Sequence, residues 1–143
     1  MKPIAENNEI LALMPQRPPI VMVDKLWSIG DDVSMAVTGL NIKGDNIFVE
    51  SGVLQEPGII EHVAQSAAVM EGYGCKLKGE KVQINYLCEV KKFEITTLPA
   101  VGSELETQVT KVAQAGGVTL LSAKVECNGT PIASGQMKIS IGE

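Results

Sequence analysis

The chain lacks the features of a membrane protein or a nucleic-acid-binding protein. No apolar run approaches the roughly 18 residues that a membrane-spanning helix requires. The formal net charge is −5, from 12 Lys and Arg against 17 Asp and Glu, and like charges do not cluster into a block. We therefore expect no membrane association and no nucleic acid as the main partner.

Signals for export and for metal binding are also missing. The opening, MKPIAENNEI, has neither an apolar core nor a cleavage site, so we expect no signal peptide. Cys75, Cys88 and Cys127 are odd in number and share no metal-like spacing. This pattern favours a reduced, cytoplasmic protein with buried thiols, no metal site and no cofactor.

The composition is that of an ordinary globular protein. Apolar residues make up 45% of the chain and charged residues 20%. A chain of 143 residues is long enough to form one hydrophobic core, and no repeat, linker or low-complexity tract divides it. We therefore predict a single domain over residues 1–143.

The first third of the chain predicts one short helix followed by strands. An amphipathic helix is expected over residues 7–14, ending before Pro15. Residues 16–30 are expected to enter a strand after two prolines, and residues 31–42 to form its hairpin partner. Residues 47–55 are expected to form a loop or a short strand.

One long helix and four strands are predicted for the remainder. Pro57 suits the first turn of a helix, and Gly72 is a plausible stop, so we expect the helix between them. Gly116-Gly117 and Asn128-Gly129 are strong hairpin turns. The four predicted strands cover residues 81–95, 103–114, 117–128 and 130–141.

The long helix is rich in Ala, Gly and Ser, which allows other backbone to lie close to it. An antiparallel sheet curled around this one central helix satisfies the element order. We therefore predict an α+β protein of the hotdog architecture, although composition alone leaves other α+β arrangements open.

Three segments resemble the β-hydroxyacyl-ACP dehydratases. LMPQRPPIVMVDKL is similar to the family's opening of the type LPHRYPFLLVDRV, and GIIEHVAQSAAV to its helix LIIEALAQAAGV. EVKKFEITTLPAVGSEL resembles the strand and turn that follow, of the type VDKARFRRPVVPGDQL. The segments occur in the family's order and cover most of the chain. They look most like the dehydratase-like proteins of aryl-polyene and flexirubin-type pigment pathways.

The resemblance implies an incomplete catalytic pair. In the family, a helix Glu works with a His from the preceding loop, in a GHFPG motif, supplied across the dimer interface. Glu61 matches that Glu, and Gln65 matches the Gln four residues later. The loop His has no counterpart in NIFVESGVLQEPG, and Gln16 replaces the His of the opening motif.

Glu61 is the first candidate for proton transfer, as base or acid. Gly58, at the start of the helix, would let a substrate approach the backbone, and the helix amino end offers N–H groups to a thioester oxygen. Gln65 lies one turn beyond Glu61 and is expected either to orient the carboxylate or to bond to backbone. A solvated Glu61 without a role is the alternative.

His62 and Asn46 are further candidates. Neighbouring helix residues diverge by about 100°, so His62 does not pair with Glu61 of the same chain. We expect His62 at the surface or at a dimer interface, where it can face the partner's site as a catalytic group. Asn46 and Glu50 lie in the loop that carries the family's His, as polar site groups or as turn formers.

Three functions remain open. The first is a dehydratase that acts on a 3-hydroxyacyl thioester of acyl carrier protein (ACP) or CoA. The second is an inactive acyl-binding or partner subunit, which the missing His favours. The third is an acyl thioesterase, because hotdog folds host both chemistries. A homodimer or higher oligomer is expected, and a heterodimer with a related dehydratase is the other arrangement considered.

Overall fold

A long helix surrounded by an antiparallel sheet dominates the computed structural model, which describes residues 2–141. The helix, α2, covers Glu56–Leu77. The strands are β1 (Ala5–Glu6), β2 (Lys25–Ile29), β3 (Met35–Asn41), β4 (Val49–Glu50), β5 (Val53–Leu54), β6 (Asn85–Ile95), β7 (Glu104–Ala115), β8 (Val118–Cys127) and β9 (Thr130–Ile141). A short helix, α1 (Asn8–Leu11), and a 3₁₀ turn (Asp31–Val33) complete the elements.

Seven strands form one sheet in the order β1-β2-β3-β7-β8-β9-β6. The hairpins β7–β8 and β8–β9 follow the two predicted glycine turns, and alternate side chains along β8 are buried because the sheet curves around α2. Strands β4 and β5 form a separate two-stranded ribbon just before α2. The predicted hotdog architecture is confirmed.

Helix α2 fits the centre of the sheet because it combines apolar and small residues. Its buried members include Ile59, Val63, Ala67 and Met70. The helix runs past the expected stop at Gly72 to Leu77. Pro57 lies in its first turn, as predicted. No helix among residues 2–141 is both long and apolar enough to cross a membrane.

The predicted elements of the first third are only partly correct. Helix α1 is shorter than residues 7–14, and β1 was not predicted. The strand expected within residues 16–30 begins only at Lys25. Residues 20–23 form an extended segment before it, and the N–H of Asp24 already donates to the carbonyl oxygen of Gly39 on β3. Strand β6 likewise begins at Asn85 and not at residue 81.

The cysteines are less buried than expected. Cys88 on β6 is exposed, and Cys75 and Cys127 are half-buried, so the expectation of buried thiols is wrong.

Strand β6 is an edge of the sheet and carries exposed apolar side chains. It pairs with β9 on one side, and the sheet order ends there. Leu87 and Val90 are paired with the buried residues Ile139 and Met137, yet they are 43% and 39% exposed. Apolar edge strands are templates for pairing that proteins normally cover. Strand β6 therefore has the character of an assembly edge.

Gly72 lies where α2 packs closely against the backbone that follows α1, and a substitution there tests this packing. A Cβ atom at Gly72 would overlap the carbonyl oxygen of Leu13, which is backbone. Although Ala favours helices, we expect Gly72→Ala to lower the free energy of unfolding by about 1–3 kcal/mol, the usual cost of overpacking. Urea denaturation measures the change.

Gly74→Ala is the matched control on the same helix. Its Cβ would meet a methyl of Val33 at 3.3 Å, and a side chain can yield where backbone cannot. We expect this variant to stay within about 1 kcal/mol of the wild type. Equal destabilisation by both substitutions would contradict the proposed packing constraint.

Candidate functional site

The Glu61 carboxylate is half-buried on the first turns of α2 and receives a hydrogen bond from Gln65. Gln65 Nε2 donates to Glu61 Oε1 at 3.1 Å, one turn along the same helix face. The sequence predicted that Gln65 either orients Glu61 or bonds to backbone. The structure shows both contacts.

Gln65 is buried, and both the oxygen and the nitrogen of its side-chain amide form hydrogen bonds. Its Nε2 donates to the carbonyl oxygen of Ile20 at 2.8 Å as well as to Glu61. Its Oε1 accepts the backbone N–H of Met22 at 2.6 Å. These contacts hold the extended chain before β2 against the helix.

His62 lies in the core of its own chain, so its predicted place at the surface or interface is wrong. Its side chain is 0% exposed. Nδ1 lies 2.6 Å from the carbonyl oxygen of Met22, and Nε2 lies 2.7 Å from Thr107 Oγ1. The catalytic role predicted for His62 would require one of these bonds to break.

Burial also keeps His62 neutral near pH 7. Desolvation lowers the pKa of His62 from 6.5 to about 4, although the Met22 carbonyl and the charge of Asp24 oppose this shift. A carbonyl oxygen can only accept, so Nδ1 carries the proton and donates to Met22. Nε2 then accepts the hydroxyl proton of Thr107.

Ser66 is a third buried polar residue of α2, after His62 and Gln65, and it connects the helix to β3. Its hydroxyl donates to the carbonyl oxygen of His62 at 2.7 Å and lies 2.7 Å from Thr38 Oγ1. Both residues are 0% exposed. The polar side chains that α2 turns inward thus have partners on β3, on β7 and on the extended chain before β2, as buried polar groups require.

Asn46 lies beside the same extended chain. Its Nδ2 contacts the sulfur of Met22 at 3.2 Å, and its Oδ1 accepts the N–H of Phe48 at 2.8 Å. The second bond is that of a turn-forming residue. A substrate-binding role for Asn46 stays a prediction.

Gly58 packs against side chains of its own chain. A Cβ atom there would lie 2.6 Å from Phe48 Cβ and 2.7 Å from Leu54 Cδ1, so close packing alone explains the glycine. Its N–H donates to the carbonyl oxygen of Gln55 at 2.9 Å, and Pro57 has no N–H. The start of α2 thus offers a thioester oxygen fewer free donors than predicted, and substrate binding at Gly58 stays a prediction.

A cavity of about 430 Å³ lies beside the extended chain before β2, and no residue of α2 contributes to its lining. Val21, Val23, Leu40 and Lys43 contribute to its lining, which does not include Glu61. This cavity is therefore not a pocket beside the Glu61 carboxylate. Residues 2–141 contain no group of three His, Cys, Asp or Glu side chains that could hold a metal ion.

The burial of His62 predicts a pH-dependent loss of stability. The unfolded chain binds a proton below about pH 6.5 and the folded chain only near pH 4, so unfolding becomes easier as the pH falls between these values. This difference corresponds to about 3 kcal/mol at 1.36 kcal/mol per pKa unit. Urea denaturation at pH 7 and pH 4 should show this loss in the wild type and not in His62→Asn.

The single histidine of the chain gives a direct check. Its imidazole proton resonances need no further assignment, and they should stay those of the neutral ring between pH 7 and pH 5. A titration midpoint near 6.5, or equal pH dependence of wild type and variant, would refute the buried neutral state.

Solved structures with the same fold include dehydratase and thioesterase examples. A chain of the dehydratase heterocomplex ApeI:P from Xenorhabdus doucetiae superposes with a TM-score of 0.87, at 18% identity, over 100% of this chain and 93% of that one. A hypothetical thioesterase with coenzyme A from Streptococcus pneumoniae superposes at 0.64, with 7% identity, over 82% and 84% of the two chains. At such identities the likeness concerns the fold alone.

Sequence relatives point to the dehydratases. The 3-hydroxyacyl-[acyl-carrier-protein] dehydratase FabZ of Streptococcus pneumoniae is 29% identical over 137 residues, covering 94% of this chain and 96% of the relative. The FabZ of Streptococcus pyogenes serotype M5 is 28% identical over 138 residues, covering 94% and 97%. Residues 8–141 match the ApeP-like family, described as ApeP dehydratase. The chain belongs to this ApeP-like dehydratase family.

Proposed function

We propose that the chain is the glutamate-bearing subunit of a two-subunit dehydratase that acts on 3-hydroxyacyl thioesters of ACP. The observation that carries the proposal is the state of His62. The chain has one histidine, and both of its ring nitrogens are bonded inside the core. Glu61 therefore needs its second proton-transfer group from another chain.

The reaction requires two proton-transfer groups. A base removes the proton from C2, the C–H electrons form the C2=C3 double bond, and the C3 hydroxyl leaves as water after taking a proton from an acid. Donors near the thioester oxygen stabilise the charge that develops there. Glu61 serves as one of the two groups, and the partner subunit supplies the other.

A second copy of this chain does not supply the missing group. Each copy would bring another Glu61 and another His62 locked between Met22 and Thr107. A related hotdog subunit that has kept the loop histidine would complete the site. The ApeI:P structure from Xenorhabdus doucetiae, a dehydratase heterocomplex of the same fold, supports this arrangement.

The sheet edge at β6 offers the surface for such a partner. Leu87 and Val90 belong to the inner side of the sheet, but α2 leaves them exposed. A second sheet joined at this edge would satisfy the free backbone groups of β6 and cover the two side chains. Antiparallel extension of the sheet is therefore the proposed mode of assembly.

Apolar residues near the amino end of α2 fit an acyl substrate. Ile20, whose carbonyl bonds to Gln65 beside Glu61, is 39% exposed. Ile47 precedes Phe48, which packs against the start of the helix, and is 52% exposed. Apolar groups near a site with a carboxylate are typical of a site for an apolar ligand with a polar reacting centre. The FabZ relatives, named for 3-hydroxyacyl-ACP substrates, support the substrate class.

Glu61→Gln tests the proton-transfer role. The amide keeps the shape of the carboxylate but cannot exchange a proton, so turnover by the complex should fall about 10²- to 10⁴-fold. The assay follows the loss of one water from a 3-hydroxyacyl-ACP by mass spectrometry. It uses this chain together with a hotdog subunit from the same organism that carries the loop histidine.

Glu56→Gln is the matched control, an exposed carboxylate in the first turn of the same helix. It should leave turnover unchanged. Full activity of this chain alone would overturn the two-subunit proposal. Unchanged turnover in Glu61→Gln would remove Glu61 from the chemistry, and a complex that binds acyl-ACP without dehydrating it would establish the binding function.

Val90→Lys tests the assembly edge. A lysine on the inner side of an edge strand opposes pairing with another sheet. The wild type, alone or with the partner subunit, should sediment at about twice its chain mass of 15.2 kDa or more, and the variant should sediment as a single chain. Val112→Lys, at a position 54% exposed on β7, is the control and should assemble normally. A wild type that stays a single chain under both conditions would refute assembly.

A further inference from the structure

The chain from Ile20 to Met22 is fastened to α2 by side chains. These residues precede β2 and lie outside the sheet, so their backbone groups have no strand partner there. Gln65 bonds to the carbonyl oxygen of Ile20 and to the N–H of Met22, at 2.8 Å and 2.6 Å. His62 donates to the carbonyl oxygen of Met22 at 2.6 Å. The side chains of two helix residues thus form the hydrogen bonds that a neighbouring strand would otherwise provide.

This arrangement leaves the Gln65 amide a single orientation. Rotating the amide by 180° would place its oxygen against the Ile20 carbonyl and the Glu61 carboxylate, and its NH₂ group against the N–H of Met22. Each of these contacts would join two acceptors or two donors. The backbone of residues 20–22 therefore determines that the Gln65 N–H points at Glu61.

We propose that His62 is a positioning residue that acts on Glu61 through Met22 and Gln65. By holding the Met22 carbonyl, His62 keeps the Met22 N–H in place, and this N–H fixes the Gln65 amide that donates to Glu61. The consequence for catalysis rests on the proposed function. The hydrogen bonds that connect His62 to Gln65 through Met22 do not depend on that function.

The two ring nitrogens of His62 have separable roles. Nδ1 holds the Met22 carbonyl, and Nε2 accepts from Thr107 on β7. An Asn side chain places its NH₂ group where Nδ1 stands, because both nitrogens are bonded to Cγ. A Gln side chain places its NH₂ group near the position of Nε2 instead.

The test compares His62→Asn with His62→Gln in two measurements. The first records the side-chain amide signals of Gln65 in ¹H–¹⁵N spectra of this chain, assigned by their loss in Gln65→Leu. The second records kcat and KM of the complex with its partner subunit on 3-hydroxyacyl-ACP. Thermal unfolding confirms that each variant is folded.

We expect His62→Asn to keep the Gln65 signals and a kcat close to the wild type. His62→Gln should shift the signals and lower kcat on the order of 10- to 100-fold, with less effect on KM, because misplacing a reacting group by about 1 Å can cost 10²-fold. Thr107→Val, which leaves the Nδ1 bond intact, should not shift the signals.

The opposite pattern would overturn the proposal. Gln65 signals unchanged in His62→Gln would show that the histidine does not orient the amide. Loss of kcat in Thr107→Val with unchanged Gln65 signals would assign Nε2 a direct part in the chemistry. If His62→Asn does not fold, the Thr107→Val and His62→Gln spectra still decide the question. The spectra need no activity, so a failed dehydratase assay would refute the proposed function without deciding the positioning role.

Discussion

The polar side chains that α2 carries into the core constrain the structure around it. A buried donor or acceptor without a partner lowers the stability of the fold by roughly 1–3 kcal/mol. The groups that bond to the buried polar side chains of α2 are therefore held in place; these side chains are His62, Gln65 and Ser66. Ser66 meets Thr38 on β3, and His62 meets Thr107 on β7. The sheet cannot shift along the helix without breaking these bonds. Register between helix and sheet is therefore set by hydrogen bonds as well as by apolar packing.

Locally encoded elements could be predicted from the sequence almost to the residue. Strand β9 was expected over 130–141 and is observed there, and β7 and β8 differ from the expectation by single residues. Alternating apolar residues and glycine turns specify such hairpins within a few positions of the chain. The family resemblance placed Glu61 and Gln65 one turn apart on a helix for the same reason, because a helix motif is a local pattern, and the two side chains are in contact there.

Features that depend on distant contacts could not be predicted. The partners of His62 lie 40 and 45 residues away, so nothing beside it in the sequence indicated that the ring is buried. Residues 20–22 have the composition of a strand, yet their backbone bonds to helix side chains instead of to β3. Both predictions failed because the hydrogen bonds between α2 and residues 20–22 join parts of the chain that are far apart in the sequence.

The buried histidine also gives a physical reason for the proposed division between two subunits. A ring held by the Met22 carbonyl and the Thr107 hydroxyl is neutral and well placed to support structure, but it cannot exchange protons with a substrate without leaving the core. In the proposed division, a chain that uses its one histidine in this way would keep Glu61 oriented and would depend on another chain for the complementary group. Under this proposal activity follows the occupancy of the complex, because each free chain would have only half of a site. An exposed apolar edge such as β6 lowers the solubility of a lone chain. Such an edge is explained if the reaction requires assembly with a partner, because the partner would cover it.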